Sequence, residues 1–213
     1  MPTLAIDCSR RWLNLGLADS GALYGEENIN AGRAQAELLP GTVGSFLTKL
    51  GFGLRDVTRI AVTTGPGYYT GIRIGLSYAA ALAEALGVEI VPVSSLYAMA
   101  FPFLGAGFWA APAIRARRGC LYGAIYPPGD GKIFEPEFQE ATSFAELINS
   151  LVTAGGNVVI IGSDAEEFEE LRKPGFWMVP SPPATGLALA MASFGLFGQD
   201  PAHIRATYAR EPT

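Results

Sequence analysis

Ile60-Ala61-Val62-Thr63-Thr64-Gly65-Pro66-Gly67-Tyr68-Tyr69-Thr70-Gly71-Ile72-Arg73-Ile74-Gly75-Leu76 passes without a break from apolar strand to glycine turn to helix. Ile60 to Val62 reads as a buried strand. Gly65 and Gly67 permit backbone angles that a side chain forbids, and Pro66 stiffens the turn between them. The helix is predicted to open at Thr70, whose hydroxyl suits an N-cap. Beyond it Gly71, Gly75, Ala79 and Ala83 recur every four residues and form one ridge of small side chains, flanked by Ile72, Leu76 and Ala80. So little bulk lets another helix approach, and the ridge is predicted to be an association face. Arg73 falls in the first turn, where the helix dipole disfavours a cation. Either an acid of the chain, Glu37 or Asp56, compensates it, or Arg73 orders the turn from Gly65 to Thr70.

Outward from this stretch, Leu4 to Asp7, Trp12 to Leu17 and Ala22 to Asn28 read as three strands in hairpin order. A helix over about 33–50 follows, with Leu39, Val43, Phe46, Leu47 and Leu50 at helical spacing. Pro40 inside it predicts a kink or a nearby helix start. Glu89 to Val93 is the strand after the central helix. Hairpins followed by helix, strand, helix and strand predict a mixed sheet. The breakers between Phe101 and Gly107 suggest a lobe boundary. Trp109 to Ile114, Cys120 to Tyr126 and Lys132 to Phe138 then read as strands of a second sheet. Phe144 to Val152 is a helix, Val158 to Ile161 a strand, Ala165 to Leu171 a short acidic helix and Ala184 to Phe197 an apolar one. The division expected is a first lobe over 1–103 and a smaller one over 104–213, its last helix packing back on the first.

The chain is 49% hydrophobic and 16% charged, which suffices for a large core. Its net charge of −5, from 15 basic and 20 acidic residues, argues against independent nucleic-acid binding. Cys8 and Cys120 form no disulfide framework and suggest a reducing cytosol. No signal peptide is visible, and no run of about 18 apolar residues predicts a membrane span.

The strand, Gly-Pro-Gly turn and helix N-terminus can bind an anion, because free N–H groups converge there. A tight connection without a ligand explains the same glycines. No Gly-Lys-Ser or Gly-Lys-Thr follows, so this is not a Walker A loop. His203 is the single histidine, and no His-x-x-x-His or Cys-x-x-Cys pair offers metal ligands. That also disfavours a Ser-His-acid arrangement at Ser94 or Ser95, and no Gly-x-Ser-x-Gly elbow occurs. Arg115, Arg117 and Arg118 make a basic knot between two strands. It suits contact with RNA phosphate or an acidic partner, or serves as a solvated hairpin end.

Gly65 to Gly75 resembles the GPGSFTGLRIG motif of the TsaB (YeaZ-type) family. Leu4-Ala5-Ile6-Asp7-Cys8-Ser9 is similar to that family's opening strand, with Cys8 for Thr. Ala34 to Pro40 resembles its HSExLLP, with Gln35 for His. Val93 to Leu96 matches VSSL, and Arg117-Arg118-Gly119 matches the end of DARRG, with Arg115 where the family has Asp. Ile204-Arg205 resembles its closing YLR. The likeness is dense over 4–119.

The resemblance implies an α/β, actin-like (ribonuclease H-like) fold of two lobes with mixed sheets, the second reduced. It implies a non-catalytic, cytoplasmic protein that activates a TsaD-type enzyme in threonylcarbamoyladenosine modification of tRNA at adenosine 37. A TsaE-type ATPase would be a further partner, tRNA would be met through the complex, and the chain alone would form a homodimer. Partner contact would fall on Tyr69, Thr70, Gly71, Ile72, Arg73, Gly75, Leu76 and Ala79. Nucleotide or anion contact would fall on Asp7, Ser9, Gly65 and Gly67, since in actin-like ATPases an acid at Asp7's position helps hold magnesium. The chain itself would need no cofactor, with ATP and magnesium confined to a partner interface. The rival readings are a small-molecule phosphotransferase or ATPase using Asp7 and the glycine turn, and a glycoprotease-like peptidase.

Overall fold

The computed structural model describes residues 1–117, 119–129, 134–162, 168–173, 176–179 and 185–207. They fall into two units, the first built from Met1–Ala98 with Ala184–Thr207 and the second around Met99–Pro183. The first thus takes back a late segment of the chain, Ala184–Thr207, and the division falls at Ala98, inside a helix.

The first unit carries β1 (Thr3–Asp7), β2 (Leu13–Ala18), β3 (Leu23–Ile29), α1 (Gln35–Lys49), β4 (Arg59–Gly65), α2 (Tyr69–Leu86) and β5 (Glu89–Ser94). The sheet order is β3-β2-β1-β4-β5. The two hairpins are antiparallel, while β1–β4 and β4–β5 are parallel, Leu4 lying opposite Ile60 and Ile60 opposite Ile90. Leu13, Leu15 and Leu17 alternate along β2 and enter the core with Leu4, Ile6, Val62, Phe46, Leu47 and Ile72. Every residue of β1 and β2 is buried, because α5 (Thr185–Ala192) packs on these two strands as well. Gly186 of α5 comes so close to the Leu15 carbonyl that a Cβ would have no room.

The second unit repeats the plan. After α3 (Ser95–Leu104) come β6 (Trp109–Arg115), β7 (Cys120–Ile125), β8 (Phe134–Glu140), α4 (Ala141–Thr153), β9 (Val158–Ile161) and β10 (Trp177–Val179). The order is β10-β9-β6-β7-β8, with β6–β7 and β7–β8 antiparallel and β6–β9 and β9–β10 parallel. Read from β8, this is the first sheet's order and sense. Phe144 and Ile148 of α4 meet Leu121, Ile125 and Ile160 in its core. The reduction lies in the helices: among the described residues only the turn Glu169–Leu171 stands between β9 and β10. The fold is α/β, with two lobes and mixed sheets.

Three local expectations are corrected, and one strand for which none was stated is added. The first is at 101–107, where α3 runs through Phe101, Pro102 and Phe103 and only Gly105 to Gly107 breaks the helix. Then, the last helix ends at Ala192 and passes into the short turn Ser193–Gly195. β10 is a three-residue strand, too short for a periodic signal. Finally, α2 begins at Tyr69 with Tyr68 as N-cap, one turn-residue ahead of expectation, because the Tyr68 N–H already donates to the Ser9 carbonyl at 2.7 Å. Part of the expected acidic helix, 165–167, lies outside the described residues.

Candidate functional site

β1 ends at Asp7, in the middle of the first sheet. The turn after it, Cys8 to Trp12, passes beneath the start of α2. Asp7 is 1% exposed and fully engaged. Its Oδ1 accepts the Ser9 N–H at 2.9 Å, the Ser9 hydroxyl at 2.6 Å and the Thr63 hydroxyl at 2.8 Å. Its Oδ2 accepts from Asn14 Nδ2 at 3.2 Å and lies 3.7 Å from the Arg10 guanidinium, itself buried. Burial alone would raise this carboxyl's pKa. The Arg10 charge and the donors of Ser9 and Thr63 outweigh it, and the pKa is lowered. The neighbouring Cys8 thiol is pushed the other way, by burial and by the Asp7 charge, and stays protonated.

This cluster does not fit magnesium. A hard cation needs carboxylate lone pairs facing an open cavity. Those of Asp7 are spent on Ser9, Thr63 and Asn14, and a protein cation already stands beside them. Asp7 and Ser9, expected at nucleotide or anion contact, are here buried and hydrogen-bonded to each other. Gly65 and Gly67 follow the same logic. Gly65 has φ 111°, in the left-handed region, and the space a Cβ would fill is taken by the Thr207 carbonyl and by Ile72 Cδ1. At Gly67 the corresponding space holds the Ser9 carbonyl and Cβ. Carbonyl oxygens thus stand directly against both glycines. The glycines serve close packing of the chain on itself.

The small-residue ridge is turned the same way. Gly71, Gly75 and Ala79 are buried, as are Ile72 and Leu76. A Cβ on Gly71 would overlap the Cys8 carbonyl, and one on Gly75 would lie 3.3 Å from Cys8 Cβ. What approaches the ridge is the β1–β2 turn of the same unit, so these five residues are not a surface on the isolated chain. This corrects their assignment to partner contact.

The rest of that assignment remains exposed and forms a groove. Tyr69, Thr70 and Arg73 of α2, with Ile74, Ser77 and Tyr78, face Ala36, Leu39 and Pro40 of α1 across a volume of about 600 Å³. The lining is chiefly apolar. The Arg73 guanidinium stacks 3.9 Å above the Tyr69 ring, an arrangement that offsets its unfavourable place near the helix start. Asp56 accepts the Gly53 N–H at 2.7 Å in its own turn. Ala36 and Pro40 of α1 belong to the stretch that resembles a family motif but were not among the site residues expected from the sequence. Only their place opposite α2 brings them in.

Arg115 and Arg117 lie exposed at the β6–β7 turn of the second unit. The Arg117 guanidinium sits 4.9 Å over the Phe138 ring, and Arg118 lies outside the described residues. Among the described residues no group of three or more His, Cys, Asp or Glu side chains is placed to hold a metal ion. No helix among them is long and apolar enough to cross a membrane.

Comparison with known proteins agrees with this geometry. The family model described as TsaD: tRNA N6-adenosine threonylcarbamoyltransferase matches residues 29–172. The tRNA threonylcarbamoyladenosine biosynthesis protein TsaB of Bacillus subtilis is 28% identical over 171 residues, covering 80% of this chain and 75% of that protein. The Escherichia coli protein of the same name is 29% identical over 181 residues, covering 81% and 76%. The solved structure of YeaZ from Pseudomonas aeruginosa superposes with a TM-score of 0.80 at 23% identity, over 97% of this chain and 99% of that one. Matches spanning most of the length lead to one conclusion: the chain belongs to the family whose model is described as TsaD, tRNA N6-adenosine threonylcarbamoyltransferase, and within it is similar to the TsaB (YeaZ-type) proteins.

Proposed function

We propose that this chain acts in threonylcarbamoyladenosine modification of tRNA, as the non-catalytic partner and activator of a TsaD-type enzyme that modifies adenosine 37. The supporting observation is a contrast within the first unit. The carboxylate that superfamily chemistry would use is consumed by Ser9, Thr63, Asn14 and Arg10, while an open, mostly apolar groove lies between α1 and α2. A groove of that kind suits an apolar helix surface, with Tyr69 and Arg73 as aromatic and cationic anchors. Alone, the chain would use the same groove to pair with a second copy. A TsaE-type ATPase is a further partner in this reading, and tRNA is met through the assembled complex in the cytoplasm. The chain needs no cofactor of its own. ATP and magnesium would enter only where a partner supplies the residues for them.

The test is reconstitution of tRNA modification from purified components. The expected result is no modification by this chain alone, and a TsaD-type enzyme whose turnover depends on it. Steady phosphate release by the pure chain, abolished by Asp7→Ala, would overturn the reading in favour of a phosphotransferase or ATPase.

A further inference from the structure

Both walls of the groove are registered on the same short turn, and one side chain joins all three. Gln35 opens α1 and is 4% exposed. Its Nε2 donates to the carbonyls of Arg10 at 2.7 Å and Trp12 at 2.9 Å, with a longer contact to Cys8 at 3.4 Å. Its Oε1 faces α2, where a Cβ on Gly71 would lie 2.9 Å away. From its own side α2 is pinned to this turn by the Tyr68 N–H on the Ser9 carbonyl, at 2.7 Å, and by the close approach of Gly67 and Gly71. The turn is itself braced by Asp7 and Arg10. Cys8, Ser9, Arg10 and Gln35, at the centre of this chain of contacts, are all buried.

We propose that Gln35 is a positioning residue for the partner groove. By clamping the start of α1 to the Cys8–Trp12 carbonyls, it sets the separation of α1 and α2 and so the helix surface the groove accepts. This rests on the groove being the partner site. The chemistry favours a neutral amide here. Its two N–H groups on one nitrogen serve the Arg10 and Trp12 carbonyls, and it brings no charge beside the Asp7–Arg10 pair. A side chain of equal length without a donor would fill the space but release the clamp.

The test measures affinity for the TsaD-type enzyme by calorimetric titration, well below each variant's melting temperature. Ile74→Glu, in the groove wall, examines the groove itself. Wild-type affinity in that variant would remove the partner reading and leave the clamp a purely internal contact. With the groove upheld, Gln35→Met is expected to bind about tenfold more weakly, the equivalent of about 1.4 kcal/mol. Gln35→His keeps an N–H donor and is expected to recover most of that loss. Equal losses in the Met and His variants, or none in either, would overturn the proposal. If Gln35→Met does not fold, Gln35→Asn takes its place, since it keeps the amide but falls one methylene short of the turn. Amide hydrogen exchange supplies the independent readout. Faster exchange is expected in the first turns of both α1 and α2, and a change confined to α1 would overturn the positioning role.

Discussion

Asp7 shows how a strand-end acid that reads as a ligand-binding candidate in the sequence is held as a structural group in the fold. Its charge is held by an internal cation and by four neutral donor groups of Ser9, Thr63 and Asn14, so each partner depends on the others. Removing one member of a buried ion pair costs about 3 kcal/mol or more, because the other is left uncompensated. Asp7→Asn is therefore expected to lower unfolding free energy at pH 7 by about that amount in urea titrations. The pH dependence has a definite sign. The folded-state pKa lies below the ordinary value of 3.8, so the stabilisation is present above that value and is lost as the pH falls through the folded one. Asp19 adds to the same acid limb. The Gly21 N–H and the Tyr24 hydroxyl depress its pKa to about 2, and its contribution disappears between about 3.8 and that value. Stability should thus decline below pH 4, and less steeply in Asp7→Asn. Equal acid slopes in the two proteins would contradict this account of Asp7.

The same scale separates two glycines that look alike in sequence. Gly71→Ala would drive a methyl group into the Cys8 carbonyl, which as backbone cannot step aside. The expected loss is about 2 kcal/mol, in the range of overpacked cores. At Gly75 the nearest atom is Cys8 Cβ at 3.3 Å, so a shift of a few tenths of an ångström suffices. The gain of about 1 kcal/mol in helix propensity from glycine to alanine offsets much of that. Thermal melts should therefore rank Gly75→Ala close to wild type and Gly71→Ala well below it.

At the scale of elements, α2 has two faces with separate duties. The buried face, with Gly71, Gly75 and Ala79, lies against the β1–β2 turn, while Tyr69, Arg73 and Ile74 face the groove. Arg73→Lys keeps the charge but loses the planar guanidinium that stacks on Tyr69. Partner affinity is expected to fall severalfold with little change in melting temperature. Unchanged affinity in calorimetric titration would assign the stacked pair to the surface of the isolated chain only. α5 is held differently. Arg59 of β4 donates to the carbonyls of Ser193 at 3.1 Å and Leu196 at 2.6 Å, and pairs with Glu89 at 2.6 Å. It thereby ties the segment after α5 to the sheet that α5 covers.

At the scale of the molecule, the first unit is assembled from both ends of the chain. α5 covers β1 and β2, Gln199 exchanges backbone hydrogen bonds with Ile90 on the outer edge of β5, and the Thr207 N–H reaches the Thr64 carbonyl at 2.7 Å. A chain cut after residue 179 would expose an apolar sheet face and the β5 edge. It is expected to lose the cooperative melt of the first unit and to bind hydrophobic dyes, a result calorimetry and fluorescence would read directly. A cut chain that melts like the full one would mean α5 contributes little.

Local signals carried much of this architecture. The period-two leucines of β2, the Gly-Pro-Gly turn and the spacing of α1 announce their elements because the relevant interactions are near in sequence. The motif from Gly65 to Gly75 carried the family, and with it the fold. Tertiary structure alone decided which way the small-residue ridge points. A stripe of glycine and alanine shows only that something comes close, and here that is the Cys8 carbonyl of the same unit. It also decided the fate of Asp7, whose partners Asn14 and Thr63 stand 7 and 56 positions away. Gln35 looked like a departure from a motif until folding brought Arg10 and Trp12 to its amide. Long-range contacts of this kind have no periodicity to read, since they arise where separate elements happen to be packed together.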